Sequence, residues 1–241
     1  MSSTKKLHVE VWSDIVCPFC YIGKRYYEKA LADFSQSAEV ELEFKSFQLD
    51  ADFVQDATNK YNLTDALAKK YQRSIEEIKA MQQQITETAK SVGLDFNFDA
   101  SIRFNTYNAH RIIHIAKEKG IGNQLIEALF SAYFTKGENL GDSATLNEIA
   151  INIGLTTEDV QQALTNDSYA YKVKQDIQEA ANIGISGVPF FVFNRKYGVS
   201  GAQPPQVFLE TLQKSYLEWQ QTEALKIVSN GAACDISGNC D

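Results

Sequence analysis

The stretch Ser13-Asp-Ile-Val-Cys-Pro-Phe-Cys20 joins two segments of different periodicity and thereby decides the fold. Before it, Leu7-His-Val-Glu-Val-Trp12 alternates apolar and polar residues, which predicts a half-buried strand. From Cys20 to Phe34, apolar residues recur every three or four positions, which predicts a helix. Val40-Glu-Leu-Glu-Phe-Lys-Ser-Phe47 returns to strand alternation. We expect a strand, helix, strand unit with parallel pairing and a right-handed crossover.

The rest of the chain has a helical pattern until a second pair of strands. From about Asp50 to Gly184 helical spacing is nearly continuous, and individual helices are predicted over 123–136, 145–153, 158–164 and 169–183. Strand alternation returns at Pro189-Phe-Phe-Val-Phe-Asn194. Arg195-Lys196 is then a predicted hairpin turn, Tyr197-Gly-Val-Ser200 its second strand, and a helix follows from Pro204 to about Val228.

This element order predicts an α/β protein whose two halves share one sheet. Neither the first two strands nor the final hairpin can bury both faces alone, so we expect one sheet with the helical block inserted. The boundaries are 1–49 and 185–228 for the split sheet domain, 50–184 for the α-helical insertion and 229–241 for a C-terminal tail.

Composition excludes several functional classes. The chain has 241 residues, 31 acidic against 23 basic, for a formal charge of -8. That charge repels phosphate, and no basic stripe offsets it, so we expect no nucleic-acid binding. No segment has the length of an export signal or membrane span, which predicts a cytoplasmic protein without a membrane partner. Four cysteines in so long a chain are not a disulfide framework, so their positions become informative.

Cys17-Pro-Phe-Cys20 has the context of a redox motif, since it follows a strand and opens a helix. There the positive end of the helix macrodipole would stabilise a Cys17 thiolate, while Cys20, one turn further, suits the resolving role. Pro18 fits the first helical position. The alternative is half of a zinc site completed by two histidines or by the tail cysteines, but neither pair has compact ligand spacing.

A second motif, Gly187-Val-Pro-Phe-Phe-Val-Phe193, places a proline at the start of a strand. A cis bond there would expose neighbouring backbone groups, whereas a trans proline on an edge strand is the simpler interpretation of this segment alone.

Taken with Asn105-Thr-Tyr-Asn-Ala-His-Arg111, these motifs resemble those of the DsbA-like thioredoxin-fold proteins, specifically their FrnE-type branch, over nearly the whole chain. The resemblance implies a thioredoxin-like fold with a large α-helical insertion between the βαβ and ββα halves. It implies Cys17 as nucleophile, Cys20 as its partner and Pro189 as a cis-proline, with Val188 offering backbone groups to substrate. The implied activity is that of a thiol-disulfide oxidoreductase or isomerase that needs no cofactor and no metal.

The expected partners are protein thiols and disulfides, with glutathione or a thioredoxin-type reductant as the electron partner, and the resemblance implies a role in oxidative-stress defence. An alternative comes from the kappa-class glutathione transferases and 2-hydroxychromene-2-carboxylate isomerases, which resemble the same fold. Those proteins carry a serine at the position of Cys17, so the intact cysteine pair favours redox chemistry. Phe19, between the cysteines, is expected to be partly exposed and to contact apolar parts of a substrate.

Cys234 and Cys240 form a second pair in the tail, and the FrnE-type proteins resemble this arrangement, usually with four intervening residues where this chain has five. A disulfide closing so short a loop adds little stability, so we expect the pair to exchange with Cys17; a static disulfide or a tail metal site are the alternatives. His110 and His114 share a helical face, which is compatible with a metal site, but no acidic residue lies between them. We expect His110-Arg111 to organise the insertion near the site instead of binding zinc. Asp14 is either a proton-transfer group or a solvated loop acid.

Overall fold

The computed structural model describes residues 6–54 and 62–223. The four strands are β1 (Leu7–Ser13), β2 (Val40–Ser46), β3 (Phe190–Phe193) and β4 (Tyr197–Ser200). They form one sheet in the order β2-β1-β3-β4, in which β1 pairs parallel with β2 and antiparallel with β3. The predicted shared sheet is confirmed, with β1 in its interior, and β1 is buried at six of its seven positions.

Two helices pack with the sheet outside the insertion. They are α1 (Pro18–Ala32), which connects β1 to β2, and α9 (Pro205–Glu223), which follows β4 and packs along α1. Tyr27 on α1 stacks on Phe191 of β3 with ring centroids 5.5 Å apart, and Phe208 of α9 closes the cluster edge-on. The closing helix was predicted from Pro204 to about Val228, and in the structure it begins at Pro205. Residues 224–228 lie outside the described part of the chain.

Among the described residues between β2 and β3 there are seven α-helices, in agreement with the large predicted insertion. They are α2 (Leu63–Tyr71), α3 (Ile75–Lys90), α4 (Tyr107–Glu118), α5 (Gly122–Ser131), α6 (Ser143–Ile153), α7 (Thr157–Thr165) and α8 (Asp167–Asn182). A π-helical turn, Ala132–Lys136, continues α5, where one longer helix was predicted. Buried residues of β1, α1, α4 and α5 belong to one hydrophobic cluster, so the insertion and the sheet share a core.

The hairpin between β3 and β4 turns one residue earlier than predicted. Asn194 and Arg195 both have positive φ, at 49° and 54°, and the N–H of Lys196 donates to the Phe193 carbonyl at 2.9 Å. Because Phe193 pairs with Tyr197, residues 194–196 form the hairpin loop, and asparagine tolerates its left-handed backbone better than most residues do. The loop thus contains the predicted Arg195 and Lys196 and also Asn194.

Candidate active site

The chain between β1 and α1 places both cysteines at the N-terminus of the helix. The N–H of Cys17 donates to the Asp14 carbonyl at 3.0 Å, and the N–H of Cys20 donates to the Cys17 carbonyl at 3.0 Å. Cys17 caps α1 with extended backbone, and Pro18 occupies the first helical position, where its missing N–H costs nothing. The local sequence therefore fixes the thiol of Cys17 at the positive end of the helix dipole.

Both cysteines are free thiols and both are buried, with 4% of Cys17 and 2% of Cys20 exposed. Burial raises the pKa of the Cys20 thiol well above its usual range, and the adjacent Cys17 raises it further. The nearby Ser13 side chain and the Asp14 backbone act in the opposite direction. Cys20 is accordingly held as a thiol in the reduced state.

The loop before β3 completes the site around Cys17. The Val188–Pro189 peptide bond is cis, and the Cys17 thiol donates to the Val188 carbonyl with Sγ and O 3.5 Å apart. These groups are 171 positions apart in sequence. The structure thus brings Cys17, Cys20 and the Val188–Pro189 loop together.

Gly23 is a site residue to which sequence reasoning assigned no role. A Cβ atom at this position on α1 would lie 3.1 Å from Cγ of Pro189 and 3.5 Å from Cα of Ala202. The absent side chain therefore lets the loop of Pro189 pack directly on the active-site helix. The signal in the sequence was a glycine inside a helical pattern, which frequently marks a close packing contact.

Asp14 is fully buried, which removes the solvated-loop interpretation. Its Oδ2 accepts from the N–H of Leu49 at 2.8 Å, and its Oδ1 lies 3.3 Å from Nε2 of His110 on α4. Through this pair the insertion is attached to the segment that leads into the cysteines.

His110 and His114 face different partners, although they lie one turn apart on α4. Nε2 of His114 lies 3.1 Å from Oγ of Ser46 and 3.3 Å from Oδ2 of Asp176. Burial lowers the pKa of His114, and the Asp176 carboxylate only partly reverses this. In the described ranges 6–54 and 62–223, no three His, Cys, Asp or Glu side chains are grouped as metal ligands would be.

A charged cluster connects α1, the active-site helix, to α5. The Glu127 carboxylate accepts from Lys24 at 2.6 Å, from the Tyr21 hydroxyl at 2.6 Å and from both terminal nitrogens of Arg25. Burial raises the pKa of Glu127, but the hydrogen bonds from Arg25, Lys24 and Tyr21 outweigh it and lower the pKa to about 2. This cluster joins groups about one hundred positions apart, and no local sequence pattern predicts it.

A cleft of about 320 Å³ opens beside Cys17, between the active-site turn and the insertion. Val188 and Phe19 both contribute to it, and Phe19 is 45% exposed, as predicted. Its other apolar walls come mainly from the insertion and include Leu63, Leu67, Met81, Ile85, Phe98 and Phe104. Its composition was not predicted, because its residues are widely separated along the chain.

Two predicted site residues, Cys234 and Cys240, lie outside the described residues. Within the described ranges, no helix combines the length and apolar character that crossing a membrane requires.

The model of one protein family, the DSBA-like thioredoxin domain, matches residues 8–213, which include the cysteine pair, the whole insertion and the cis-proline loop. The chain belongs to this family. Its fold, an α/β thioredoxin-like sheet with a large helical insertion between β2 and β3, agrees with that membership.

Individual proteins are similar to this chain in sequence or in fold. The chain is 37% identical to a probable DsbA oxidoreductase from Streptomyces coelicolor, with a TM-score of 0.84 and 98% of each chain covered. It is 29% identical to the uncharacterized protein YwbO of Bacillus subtilis, over 84% of this chain and 94% of that protein. The cytosolic disulfide reductase DsbM from Pseudomonas aeruginosa has the same fold at 13% identity, with a TM-score of 0.58 and coverage of 90% and 100%. Family and structure together place the protein among the DsbA-like oxidoreductases.

Proposed function

We propose that this DsbA-like protein exchanges disulfides with polypeptide substrates through Cys17 and Cys20 and belongs to the FrnE-type branch. The observation that carries the proposal is the reduced pair at the start of α1, with the Cys17 sulfur 3.5 Å from the carbonyl before a cis-proline. A cytoplasmic setting and a part in oxidative-stress defence stay predictions.

In the reducing direction, the Cys17 thiolate attacks one sulfur of a substrate disulfide, and the other substrate sulfur leaves as a thiolate that takes up a proton. Cys20 then loses its proton and attacks the Cys17 sulfur. The Cys17–Cys20 disulfide forms and the second substrate thiol leaves. Two electrons pass from the protein to the substrate, and the reverse sequence oxidises a substrate dithiol.

The raised pKa of Cys20 supports the assignment of Cys17 as the attacking cysteine and Cys20 as the resolving one. A protonated Cys20 does not expel a substrate from the mixed disulfide until its proton is removed, so the resolving step becomes faster as the pH rises. Val188 and Phe19 are the proposed substrate contacts, since both border the cleft next to Cys17. The tail pair Cys234 and Cys240 is proposed to exchange disulfides with Cys17 and so to pass electrons to or from the site.

The test compares insulin reduction by the wild-type protein with that by Cys17→Ser, Cys20→Ser and the double variant Cys234→Ser/Cys240→Ser. We expect Cys17→Ser to abolish reduction and Cys20→Ser to accumulate a mixed disulfide detectable by mass spectrometry. Insulin reduction that survives Cys17→Ser would overturn the proposal. If the Cys17→Ser variant still conjugates glutathione to an electrophile, that result would favour the glutathione-dependent alternative.

The same assay tests the tail. Exchange between the two pairs predicts that the double tail variant reduces insulin more slowly or shifts the redox potential of the Cys17/Cys20 pair. An unchanged rate together with an unchanged potential would remove the tail from the mechanism.

A further inference from the structure

A cavity much smaller than the cleft lies where the end of β1 meets β2 and α4. Its volume is about 10 Å³, close to the least space that one water molecule needs, roughly 10 to 15 Å³. The polar side chains in its wall are those of Ser13, Lys45, Ser46 and His110, and the remaining side chains are apolar. A cavity of this size with several polar groups is suited to a single ordered water.

The hydroxyl of Ser13 is an unpaired buried group at this cavity. Ser13 is 5% exposed, and among the described residues its hydroxyl oxygen has no hydrogen-bond partner. Burying an unpaired hydroxyl is costly, so such groups are normally satisfied by the protein or by an ordered water. A water in the adjoining cavity would satisfy Ser13.

The same side chain lies beside the resolving cysteine. Ser13 ends β1, and its side chain is close enough to Cys20 to lower the pKa of the thiol, although burial raises that pKa by more. Cys20 is itself 2% exposed, so bulk water has little access to its sulfur. Ser13 therefore links a thiol that has to lose its proton to a cavity that can hold a water.

His110 supplies a proton acceptor in the wall of the cavity. The Lys45 ammonium has no lone pair, and the Ser46 hydroxyl already lies 3.1 Å from Nε2 of His114. Nε2 of His110 lies 3.3 Å from Oδ1 of Asp14, which leaves its Nδ1 for a water. Because Asp14 is fully buried, its carboxylate would strongly stabilise an imidazolium at His110.

From these observations we infer that the cavity binds one water molecule, and that Ser13, this water and His110 carry the proton away from Cys20 when the mixed disulfide is resolved. The Cys20 thiol gives its proton to the Ser13 hydroxyl, whose own proton passes to the water. A proton of the water then passes to Nδ1 of His110.

The electrons move in the same step. The Cys20 thiolate attacks the Cys17 sulfur, and the bond between these two sulfurs forms as the bond from Cys17 to the substrate sulfur breaks. The substrate sulfur leaves with the electron pair of the broken bond and takes up a proton from solvent. His110 later returns its proton to solvent.

The other titratable groups near this route are engaged elsewhere. Nζ of Lys45 lies 3.5 Å from Oε1 of Glu10 and 3.6 Å from Oδ1 of Asp176. Nε2 of His114 lies 3.3 Å from Oδ2 of Asp176. Burial and the Asp14 charge raise the pKa of Tyr133, so its hydroxyl keeps its proton. His110 is thus the base that the arrangement leaves for the Cys20 proton.

This inference rests on the proposed disulfide exchange and assigns the path of the Cys20 proton. The test mixes the reduced full-length chain carrying Cys234→Ser/Cys240→Ser with the chromogenic disulfide dithiobis-nitrobenzoate in a stopped-flow instrument. Attack by Cys17 releases the first thionitrobenzoate in a phase that becomes faster with reagent concentration. Resolution by Cys20 releases the second in a phase that does not. Both are followed across the range in which histidine changes charge, about pH 5 to 8.

Ser13→Ala should slow the second phase at least about tenfold and change the first less than about twofold, since general acid–base groups contribute factors of roughly 100 to 10,000. The matched control is Ser215→Ala. Ser215 on α9 is fully buried, its hydroxyl also lacks a partner among the described residues, and it does not line the cavity. This control should leave both phases at the wild-type rates.

His110→Gln tests the acceptor separately. The glutamine amide can still donate to Asp14, but it has no ring nitrogen that takes up a proton. It should slow the second phase and spare the first. In both variants the second phase should depend more steeply on pH than in the wild type, because hydroxide has to replace the lost relay. A loss of packing alone would leave that slope unchanged.

A second phase that Ser13→Ala or His110→Gln leaves unchanged would overturn the inference. So would equal slowing of the second phase by Ser13→Ala and Ser215→Ala, or a high-resolution crystal structure that shows no ordered water between Ser13 and His110. The failure of the underlying function is distinct, since the Cys17→Ser variant would then keep both phases.

Discussion

Replacing Glu127 with glutamine should loosen the attachment of the active-site helix to the insertion in a way that depends on pH. Its pKa is about 2 in the folded protein against an ordinary 4.5. Each tenfold change in proton affinity is worth about 1.4 kcal/mol, so the upper limit for the charged form is about 3 kcal/mol. About a third of the side chain is exposed, and solvent screening reduces the expected contribution to about 1 to 2 kcal/mol.

The sign follows from the direction of the shift. Because the folded-state pKa is lowered, the stabilisation is fully present above pH 4.5 and is lost as the pH falls toward 2. Urea unfolding followed by far-ultraviolet circular dichroism should therefore give Glu127→Gln a deficit of about 1 to 2 kcal/mol near pH 7 that shrinks at about pH 3. The control is Glu148→Gln, since Glu148 is exposed on α6 and makes no ion pair with a described residue. A deficit independent of pH, or none at neutral pH, would refute the reasoning.

Three further predictions concern the site itself. Gly23→Ala places a Cβ 3.1 Å from Cγ of Pro189 and should lower the rate of insulin reduction by about tenfold or more. A circular dichroism spectrum like that of the wild type would confirm that the variant folds. An undiminished rate would contradict the packing role of Gly23. In the Cys234→Ser/Cys240→Ser background, iodoacetamide should modify only Cys17 up to about pH 9, since burial raises the pKa of Cys20. A second adduct in the mass spectrum would show that Cys20 also reacts and would contradict the prediction. A double-mutant cycle with Asp14→Ala and His110→Ala should give a coupling of about 1 to 3 kcal/mol in urea unfolding, whereas additive effects would show that the buried contact contributes nothing.

The elements with strong local periodicity were the ones that sequence reasoning placed well. β1 and β2 each differ by one residue from prediction at their C-terminal ends, and β4 begins and ends where predicted. The cysteine pair was predicted correctly as a motif because both cysteines lie within four consecutive residues, Cys17 to Cys20. The strand order was not, since period-two alternation specifies a strand but not its neighbours.

Other features of the site depend on contacts between distant positions. The burial of Asp14 arises from α4 and Leu49, which close over it, and nothing in the loop sequence distinguishes it from a solvated acid. The cleft is likewise assembled from helices whose apolar residues looked like ordinary core positions. The hairpin loop contains the predicted Arg195 and Lys196 and also Asn194, whose positive φ depends on the backbone path between the paired strands.

The distance in sequence between Cys17 and Val188 also has a consequence for biosynthesis. On the ribosome Cys17 emerges 171 positions before the Val188 carbonyl that it contacts, and Cys20 follows Cys17 by three residues. At about 5 to 20 residues per second, that interval lasts roughly 10 to 30 s. Throughout it the Cys17 thiol lacks the Val188 carbonyl that it contacts in the folded protein, so the nascent chain carries a less protected thiol than the finished one.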